Sequence, residues 1–308
     1  MPNTKATYRV LIAAGGTGGH VYPAIAIADA LKASWPETEI TFVGTKDHME
    51  WTAVPKAGYT ISPIWISGLQ RRLTPKNLLF PIKLVYSLIQ SYGLLRRFRP
   101  SIMISCGGYV AGPVGWVAAK MGIPIMLQEQ NSYPGVTNRM LARYARRIFT
   151  AFPDAEDYFP EQKVRMVGNP TRNQLSQISN KVAREQFKFS EDRPVLLVLG
   201  GSLGAKSINE AMLHSLDTLH DDAGLYIIWQ CGKRYIDALV NEIEVEDYPR
   251  LRLNAYLDDM PAAYAAADLA VSRAGASSCS ELMITGTPSV LVPSPHVAGD
   301  HQTMNARS

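Results

Sequence analysis

The chain has 308 residues, 46% of them hydrophobic, and its 31 Lys and Arg against 27 Asp and Glu leave a net charge of +4. That length exceeds what one core ordinarily serves, roughly 250–300 residues, so two domains are expected. With 23 Gly and 20 Pro the composition excludes a collagen-like or disordered chain. Three widely spaced cysteines (Cys106, Cys231, Cys279) exclude a disulfide framework or a zinc cluster and fit a reducing compartment.

The first residues lack an apolar signal core, and no apolar run reaches the about 20 residues that span a bilayer. A soluble protein, or one seated on a membrane face, is therefore expected. Charge is uneven along the chain. Residues 1–169 hold 19 basic and 10 acidic side chains, a balance of +9, whereas residues 170–308 hold 12 and 17, a balance of −5. Between Glu50 and Glu129 there is no acidic residue, while nine Lys or Arg occur. Such asymmetry points to an anionic partner for the first half.

The first predicted strand, Val10-Leu11-Ile12-Ala13-Ala14, runs into Gly15-Gly16-Thr17-Gly18-Gly19-His20. A helical stretch over 22–31 follows, with Pro23 near its start, where a missing N–H is tolerated. Apolar runs predict further strands at 40–43, 102–105 and 125–128. Turn residues Val167-Gly168-Asn169-Pro170 separate the two charge regimes and divide the chain into domains 1–169 and 170–308. The second half repeats the opening. Val195-Leu196-Leu197-Val198-Leu199 leads into Gly200-Gly201-Ser202-Leu203-Gly204 and a helix over about 205–219. Strands are predicted at 225–230, 251–254, 269–272 and 289–292. Continuous apolar runs of this length suit sheets covered on both faces. The fold class is α/β: two Rossmann-like doubly wound domains, expected to face one another across a cleft with their carboxyl-end crevices.

Glycine loops ahead of helices let backbone N–H groups and the positive helix end approach phosphates, although many such loops are only tight turns. Here Val21 stands where a dinucleotide fingerprint needs its last Gly or Ala, and the second strand ends at Gly44-Thr45 without a ribose-binding acid. Lys206-Ser207 follows the second loop, but Ala205 replaces the glycine an ATPase loop requires. Neither nucleotide class fits. Later, Ser272-Arg273-Ala274-Gly275-Ala276-Ser277-Ser278-Cys279-Ser280-Glu281-Leu282 follows a strand directly. Small residues there give a diphosphate room at a helix start, and Glu281 can accept two hydrogen bonds from a ribose diol. The alternative is an ordinary helix N-terminus in which Glu281 meets the dipole.

These pieces occur in a specific order. Gly15-Gly16-Thr17-Gly18-Gly19-His20 is followed by Cys106-Gly107-Gly108-Tyr109-Val110-Ala111-Gly112-Pro113, Gln128-Glu129-Gln130-Asn131 and Gly168-Asn169-Pro170-Thr171-Arg172. Then come Gly200-Gly201-Ser202-Leu203-Gly204, the 273–281 segment and Asp300-His301-Gln302-Thr303-Met304-Asn305-Ala306. The series resembles the MurG family across essentially the whole chain. That resemblance implies the GT-B fold, with sugar nucleotide on the C-terminal domain and lipid acceptor on the N-terminal one. It implies an inverting hexosyl transfer from UDP-GlcNAc to the C4 hydroxyl of N-acetylmuramic acid in lipid I, the undecaprenyl-pyrophosphoryl-MurNAc-pentapeptide. The products are lipid II and UDP, made in peptidoglycan synthesis with no bound metal or other cofactor. The lack of a D-x-D motif accords with this. The family's setting is the cytoplasmic face of the bacterial plasma membrane, where it serves cell-wall biogenesis and with it cell shape and division. The family also continues through further C-domain elements, so a shortened second domain with reduced stability and activity is expected.

The resemblance also implies site residues. Thr17, Gly18 and Gly19 belong beside the diphosphate, Asn131 at the cleft, and Arg172 and Ser202 on the diphosphate. Leu257 matches a uracil-side backbone contact. Ala276, Ser277, Ser278, Cys279, Ser280 and Glu281 line the nucleotide, with Glu281 on the ribose, and Gln302 meets the sugar hydroxyls. Departing charge on UDP is to be stabilised by loop N–H groups and Arg172. For the base, His20 follows the glycine loop, and an imidazole with its ordinary pKa of about 6.5 suits deprotonating a hydroxyl. The alternative has His20 only ordering the loop. Glu129 is the rival base, at a strand end where functional groups concentrate, against an ordinary loop-bonding role. Tyr109 is assigned to acceptor positioning, against packing.

The acid-free stretch holds Leu69-Gln70-Arg71-Arg72-Leu73-Thr74-Pro75-Lys76-Asn77-Leu78-Leu79-Phe80-Pro81-Ile82-Lys83, then a helix-like 84–98. Ile82, Val85, Ile89 and Tyr92 follow helical spacing, and Arg96, Arg97 and Arg99 close the run. This suits an interfacial element on an anionic membrane, each cation contributing about 1 kcal/mol; the alternative is a core helix with solvated flanks. Nucleic acid is excluded as partner by the lack of an aromatic platform or nucleic-acid motif. Rival readings remain a UDP-sugar 2-epimerase, a non-catalytic sugar-nucleotide module and a peripheral membrane scaffold.

Overall fold

The computed structural model describes residues 8–68, 78–171, 175, 178–190, 193–201, 203–295, 297 and 300–308. The chain separates into two compact units, Met1–Pro170 and Thr171–Arg307. The first holds strands β1 (Arg9–Ala13), β2 (Glu39–Gly44), β3 (Thr60–Pro63), β4 (Ile102–Ser105), β5 (Ile125–Glu129), β6 (Arg147–Thr150) and β7 (Val164–Met166). They form a sheet ordered β3-β2-β1-β4-β5-β6-β7, its pairs parallel. In the second, β8 (Val195–Leu199), β9 (Tyr226–Gln230), β10 (Leu251–Asn254), β11 (Leu269–Ser272) and β12 (Ser289–Leu291) form a parallel sheet ordered β10-β9-β8-β11-β12.

Helices cover both faces of each sheet, as a parallel sheet requires. In the first unit these are α1 (Gly18–Ser34), α2 (Glu50–Lys56), α3 (Phe80–Phe98), α4 (Ala111–Lys120) and α5 (Val136–Leu141). In the second they are α6 (Asn180–Gln186), α7 (Lys206–Asp217), α8 (Ile236–Glu242), α9 (Met260–Ala266), α10 (Ala276–Thr285) and α11 (His301–Arg307). The central strands divide their side chains between two cores with the period of two expected of a strand. In β1, Leu11 and Ala13 join the core that includes Val114 of α4, while Val10 and Ile12 join the one that includes Ala24 and Ala28 of α1. In β8, Leu197 and Leu199 pack with Tyr264 of α9, and Leu196 and Val198 with Ile208 of α7.

Strand order reverses between β1 and β4 in the first sheet and between β8 and β11 in the second. Loops leaving the carboxyl ends of such neighbours diverge to opposite faces and leave a crevice, the ordinary ligand site of an open α/β sheet. The 15–20 and 106–110 loops leave one such pair, and the 200–205 and 273–276 loops the other.

Several elements depart from the sequence reading. β3, β6 and β7 escaped it because they are short and lie toward one edge or the other of their sheet; in Arg147-Ile148-Phe149-Thr150 only two positions are buried, and in β7 one. Helix α1 starts at Gly18, not at residue 22, so Pro23 falls in its second turn and the lost hydrogen bond is at Gly19. Helix α7 ends at Asp217, and a π-helical turn over Thr218–Asp222 completes the predicted span.

Candidate active site

In the N-terminal unit, the loop after β1 is held from below by Glu50, the first residue of α2. This carboxylate has no solvent exposure. Its Oε2 accepts the Gly16 N–H at 3.1 Å, and its Oε1 accepts the Thr45 N–H at 3.1 Å and the Thr45 hydroxyl at 2.8 Å. Sequence reasoning passed over Glu50, since no motif marks it; its only signal is an acid opening a helix five residues after Thr45. Above this support the helix begins, Thr17 O accepting the N–H groups of His20 and Val21 at 3.1 and 3.2 Å. Thr17 Oγ1 also meets His20 Nδ1 at 3.2 Å. The imidazole packs on the loop after β4, so close that a Cβ on Gly107 would lie 2.9 Å from His20 Cδ2.

That second loop crosses the first at backbone contact. A Cβ on Gly108 would lie 2.3 Å from Gly15 O, and Gly108 has φ +78. Tyr109 follows, its ring against Gly16 and edge-on to His48 at 5.8 Å. The Tyr109 hydroxyl is buried and has no hydrogen-bond partner among the described residues. Burial raises its pKa, nearby Thr45 lowers it in part, and the Glu50 and Asp47 charges raise it further.

Glu129 ends β5 and is 1% exposed. Its Oε1 accepts from Asn131 N at 3.1 Å and Asn131 Nδ2 at 3.3 Å; its Oε2 accepts from Gly135 N at 3.1 Å and Asn138 Nδ2 at 3.0 Å. Asn138 in turn accepts from Ser105 Oγ at 3.0 Å, tying the β4 end to the β5 end. Burial raises the Glu129 pKa, and the four donors oppose that. Glu129 and Asn131 are thus engaged with one another. The rival base of the sequence reading has both carboxylate oxygens engaged by the loop that follows it.

In the C-terminal unit, α10 starts just after Gly275, whose lack of a side chain leaves the helix without a side-chain cap from that position. The first N–H groups of a helix lack intrahelical partners and carry its positive end, so this terminus can receive a phosphate. Ala276, Cys279 and Ser280 are buried, and Ser277 and Ser278 partly so. Ser277 Oγ is enclosed with no hydrogen-bond partner among the described residues. Burial pushes the Cys279 thiol up to about 11, so it stays protonated and acts as a small apolar wall. On the second turn Glu281 Oε2 accepts the Tyr264 hydroxyl at 3.0 Å. Leu257 is buried, its N–H given to Gln230 Oε1 at 2.9 Å. Gln302 Oε1 accepts Ser294 N at 2.8 Å.

Arg273 is a bracket in this cluster. Its Nη1 donates to Val292 O and Pro293 O at 3.0 and 3.2 Å and its Nη2 to Ser207 Oγ at 2.8 Å, joining the ends of β11 and β12 to the start of α7. Burial lowers its pKa. Arg172 and Ser202, together with Arg71, Arg72 and Lys76, lie outside the described residues. Among the described residues no group of three His, Cys, Asp or Glu side chains is placed to hold a metal ion.

Helix α3 carries a different surface. One face is buried through Ser87, Ser91, Leu94 and Leu95. The other exposes Ile82, Val85, Tyr86, Ile89 and Tyr92, with Ile89 63% exposed. Trp65, itself half-exposed, extends this face edge-on to Tyr86 at 5.8 Å, with Lys83 Nζ 5.5 Å from its ring. The helix therefore joins the core on one face and leaves an apolar face exposed on the other. No helix among the described residues is long and apolar enough to cross a membrane.

Comparison with known proteins agrees with this geometry. The glycosyltransferase family 28 N-terminal domain matches residues 10–150, and the glycosyltransferase family 28 C-terminal domain matches residues 195–308. Over 306 residues the chain is 51% identical to a UDP-N-acetylglucosamine--N-acetylmuramyl-(pentapeptide) pyrophosphoryl-undecaprenol N-acetylglucosamine transferase of Salinibacter ruber, spanning 99% of this chain and 82% of that one. A Flavobacterium psychrophilum protein of the same name is 44% identical, spanning 98% and 82% of the two chains. The crystal structure of Acinetobacter baumannii MurG superposes with a TM-score of 0.72 at 30% identity, over 98% of this chain and 83% of that one. The chain belongs to glycosyltransferase family 28 and, within it, to the MurG family of N-acetylglucosamine transferases.

Proposed function

We propose that the chain transfers GlcNAc from UDP-GlcNAc to the MurNAc C4 hydroxyl of lipid I, giving lipid II and UDP for peptidoglycan synthesis. The observation that carries this reading is 51% identity, across 99% of the chain, to a relative named for that transfer. In this reading the C-terminal unit takes the donor. The uncapped start of α10 and the 200–205 loop receive the diphosphate, with Arg172 and Ser202 as further contacts. Glu281, oriented by Tyr264, accepts from the ribose diol. With its N–H already given to Gln230, Leu257 meets the uracil through its carbonyl. The Gln302 amide, anchored by its oxygen, turns its NH₂ to the sugar hydroxyls.

The N-terminal unit takes the acceptor. His20 is the general base: with Nδ1–H donating to Thr17 Oγ1, Nε2 takes the hydroxyl proton as the C4 oxygen attacks the anomeric carbon and UDP leaves from the opposite side. The transfer inverts the anomeric centre. Thr17, Gly18 and Gly19 lie beside the diphosphate, and Tyr109 positions the acceptor. Glu129 acts as a positioning residue that shapes the 130–138 loop and with it Asn131. The apolar face of α3, flanked by Lys83, Arg96, Arg97 and Arg99, docks on an anionic membrane surface, the cytoplasmic face of the plasma membrane where the lipid acceptor resides.

The test is UDP release from UDP-GlcNAc with and without a lipid I analogue. Release that depends on the analogue, with one GlcNAc gained by it, is the expected result. Release without acceptor, or conversion of UDP-GlcNAc to its 2-epimer, would move the assignment to a hydrolase or an epimerase.

A further inference from the structure

Gln230 belongs to no motif, yet its side chain joins the two loops assigned above to diphosphate and uracil. It is the last residue of β9, between β8 and β10, with Leu199 and Asn254 as its neighbours in register. Its own carbonyl accepts the Gly200 N–H at 3.3 Å. Its side chain, 4% exposed, divides between two loops. Nε2 donates to Gly201 O at 3.1 Å, and Oε1 accepts from Leu257 N at 2.9 Å. Gly201 O also accepts the Gly204 N–H at 3.1 Å, so the Gln230 amide pins the carbonyl about which the glycine loop turns.

The chemistry of this position demands a side chain with both a donor and an acceptor, which an amide supplies at every pH. One end of the side chain must donate to a carbonyl and the other must accept from an N–H, at the same moment and in the same plane. A carboxylate supplies no donor and an aliphatic side chain supplies neither, so each leaves buried backbone groups unpaired. A buried polar contact of this kind fixes geometry as well as energy. Resting on the donor-domain reading, we infer that Gln230 is a positioning residue for the nucleotide: it sets the distance between the backbone that reads the uracil and the backbone that holds the diphosphate.

The test is calorimetric titration of UDP into the wild-type chain and into Gln230→Met and Gln230→Glu, with thermal melts alongside. Methionine keeps the volume and removes both hydrogen bonds, and UDP affinity is expected to fall by about tenfold or more. In a chain with turnover, KM for UDP-GlcNAc rises by a similar factor while kcat moves less. Gln230→Glu is the more discriminating variant. Protonated, the carboxyl can donate to Gly201 O and accept from Leu257 N; ionised, it cannot donate. Its affinity relative to wild type at the same pH should therefore be near unity on the acid side and fall as pH rises. A residue that only props up the fold would lower the melting temperature without giving that pH-dependent ratio. Gln230→Glu tracking wild type at every pH, or Gln230→Met binding UDP within about twofold of wild type, would overturn the inference alone. Wild type failing to bind UDP would overturn the donor-domain reading and the inference with it.

Discussion

Glu50 Oε2 accepts the Gly16 N–H at 3.1 Å, so the loop that opens the N-terminal unit rests on a carboxylate carried by a different helix. Both Gly15 and Gly44 lie against this side chain: a Cβ on either would come within 2.8 and 2.6 Å of it. Glu50→Ala removes the acceptor for two N–H groups and a hydroxyl. Unfolding stability should fall by roughly 2–4 kcal/mol in urea titration, the cost of stranding several buried donors. Because the displaced loop carries Thr17 and His20, kcat should fall in Glu50→Gln. A loss below about 0.5 kcal/mol in Glu50→Ala, the range of an ordinary surface change, would show that Glu50 is not the loop's support.

His20 is held on both sides, by Thr17 at Nδ1 and by the Gly107 backbone against the ring. Such a ring is held in place rather than free to rotate. His20→Ala is expected to lower kcat by about 10²–10⁴-fold, the usual worth of a general base. UDP affinity, which belongs to the other unit, should stay within about twofold, well under the factor of ten that 1.4 kcal/mol represents. Steady-state kinetics with a lipid I analogue checks both numbers. A kcat near wild type would place the base elsewhere.

Glu129 gives a pH prediction with a definite sign. Burial raises its folded-state pKa above the ordinary value of about 4.3, so the native chain holds this proton more tightly than the unfolded one. The resulting stabilisation is complete below the ordinary carboxylate range and is lost as pH rises through the raised folded value. Comparing wild type with Glu129→Gln cancels the other titrating groups. The wild-type advantage in unfolding free energy should shrink on going from about pH 4 to neutrality. An advantage that grows over that range would mean the four donors outweigh burial and hold the carboxylate ionised.

Much of this was legible in the sequence, and the exceptions have physical causes. Continuous apolar runs such as Val195-Leu196-Leu197-Val198-Leu199 are buried on both faces, so the central strands announced themselves. Edge strands like β7 bury a single residue and left no such run. Loop glycines and Glu281 were singled out because a motif marks them. Glu50 and Gln230 were not, because their role depends on which loops the fold brings within 3 Å, a property of topology rather than of spacing. For Glu129 the sequence shows an acid at a strand end but not that four donors converge on it.

The exposed face of α3 should behave as a membrane anchor of two parts. Ile82, Val85 and Ile89 supply apolar area, and Lys83, Arg96, Arg97 and Arg99 supply charge. Replacing the three apolar residues by serine should weaken binding to anionic vesicles by about 100-fold, since each large side chain contributes roughly 1.5–3 kcal/mol when fully buried and less at an interface. Raising salt to about 1 M should remove the charge contribution while leaving some apolar binding. Vesicle sedimentation measures both. If the serine variant sediments like wild type, this face does not contact lipid.

A matched pair of glycine substitutions separates backbone strain from close approach. Gly108 and Gly122 have nearly the same left-handed φ, +78 and +74. Alanine at either pays the same conformational penalty, on the order of 1 kcal/mol. Around Gly122 a new Cβ would meet nothing within 4 Å, whereas at Gly108 it would lie 2.3 Å from Gly15 O. That neighbour is backbone, and it belongs to the loop that Glu50 holds from the other side, so it cannot yield without moving Gly16. Gly122→Ala should therefore lose roughly 1 kcal/mol and keep full turnover. Gly108→Ala should lose about 3 kcal/mol or more and, where it folds, lower kcat through the displaced 15–20 loop. Equal losses in the two variants would mean that strain alone fixes glycine at both positions, and that the crossing of the two loops is looser than the backbone contact implies.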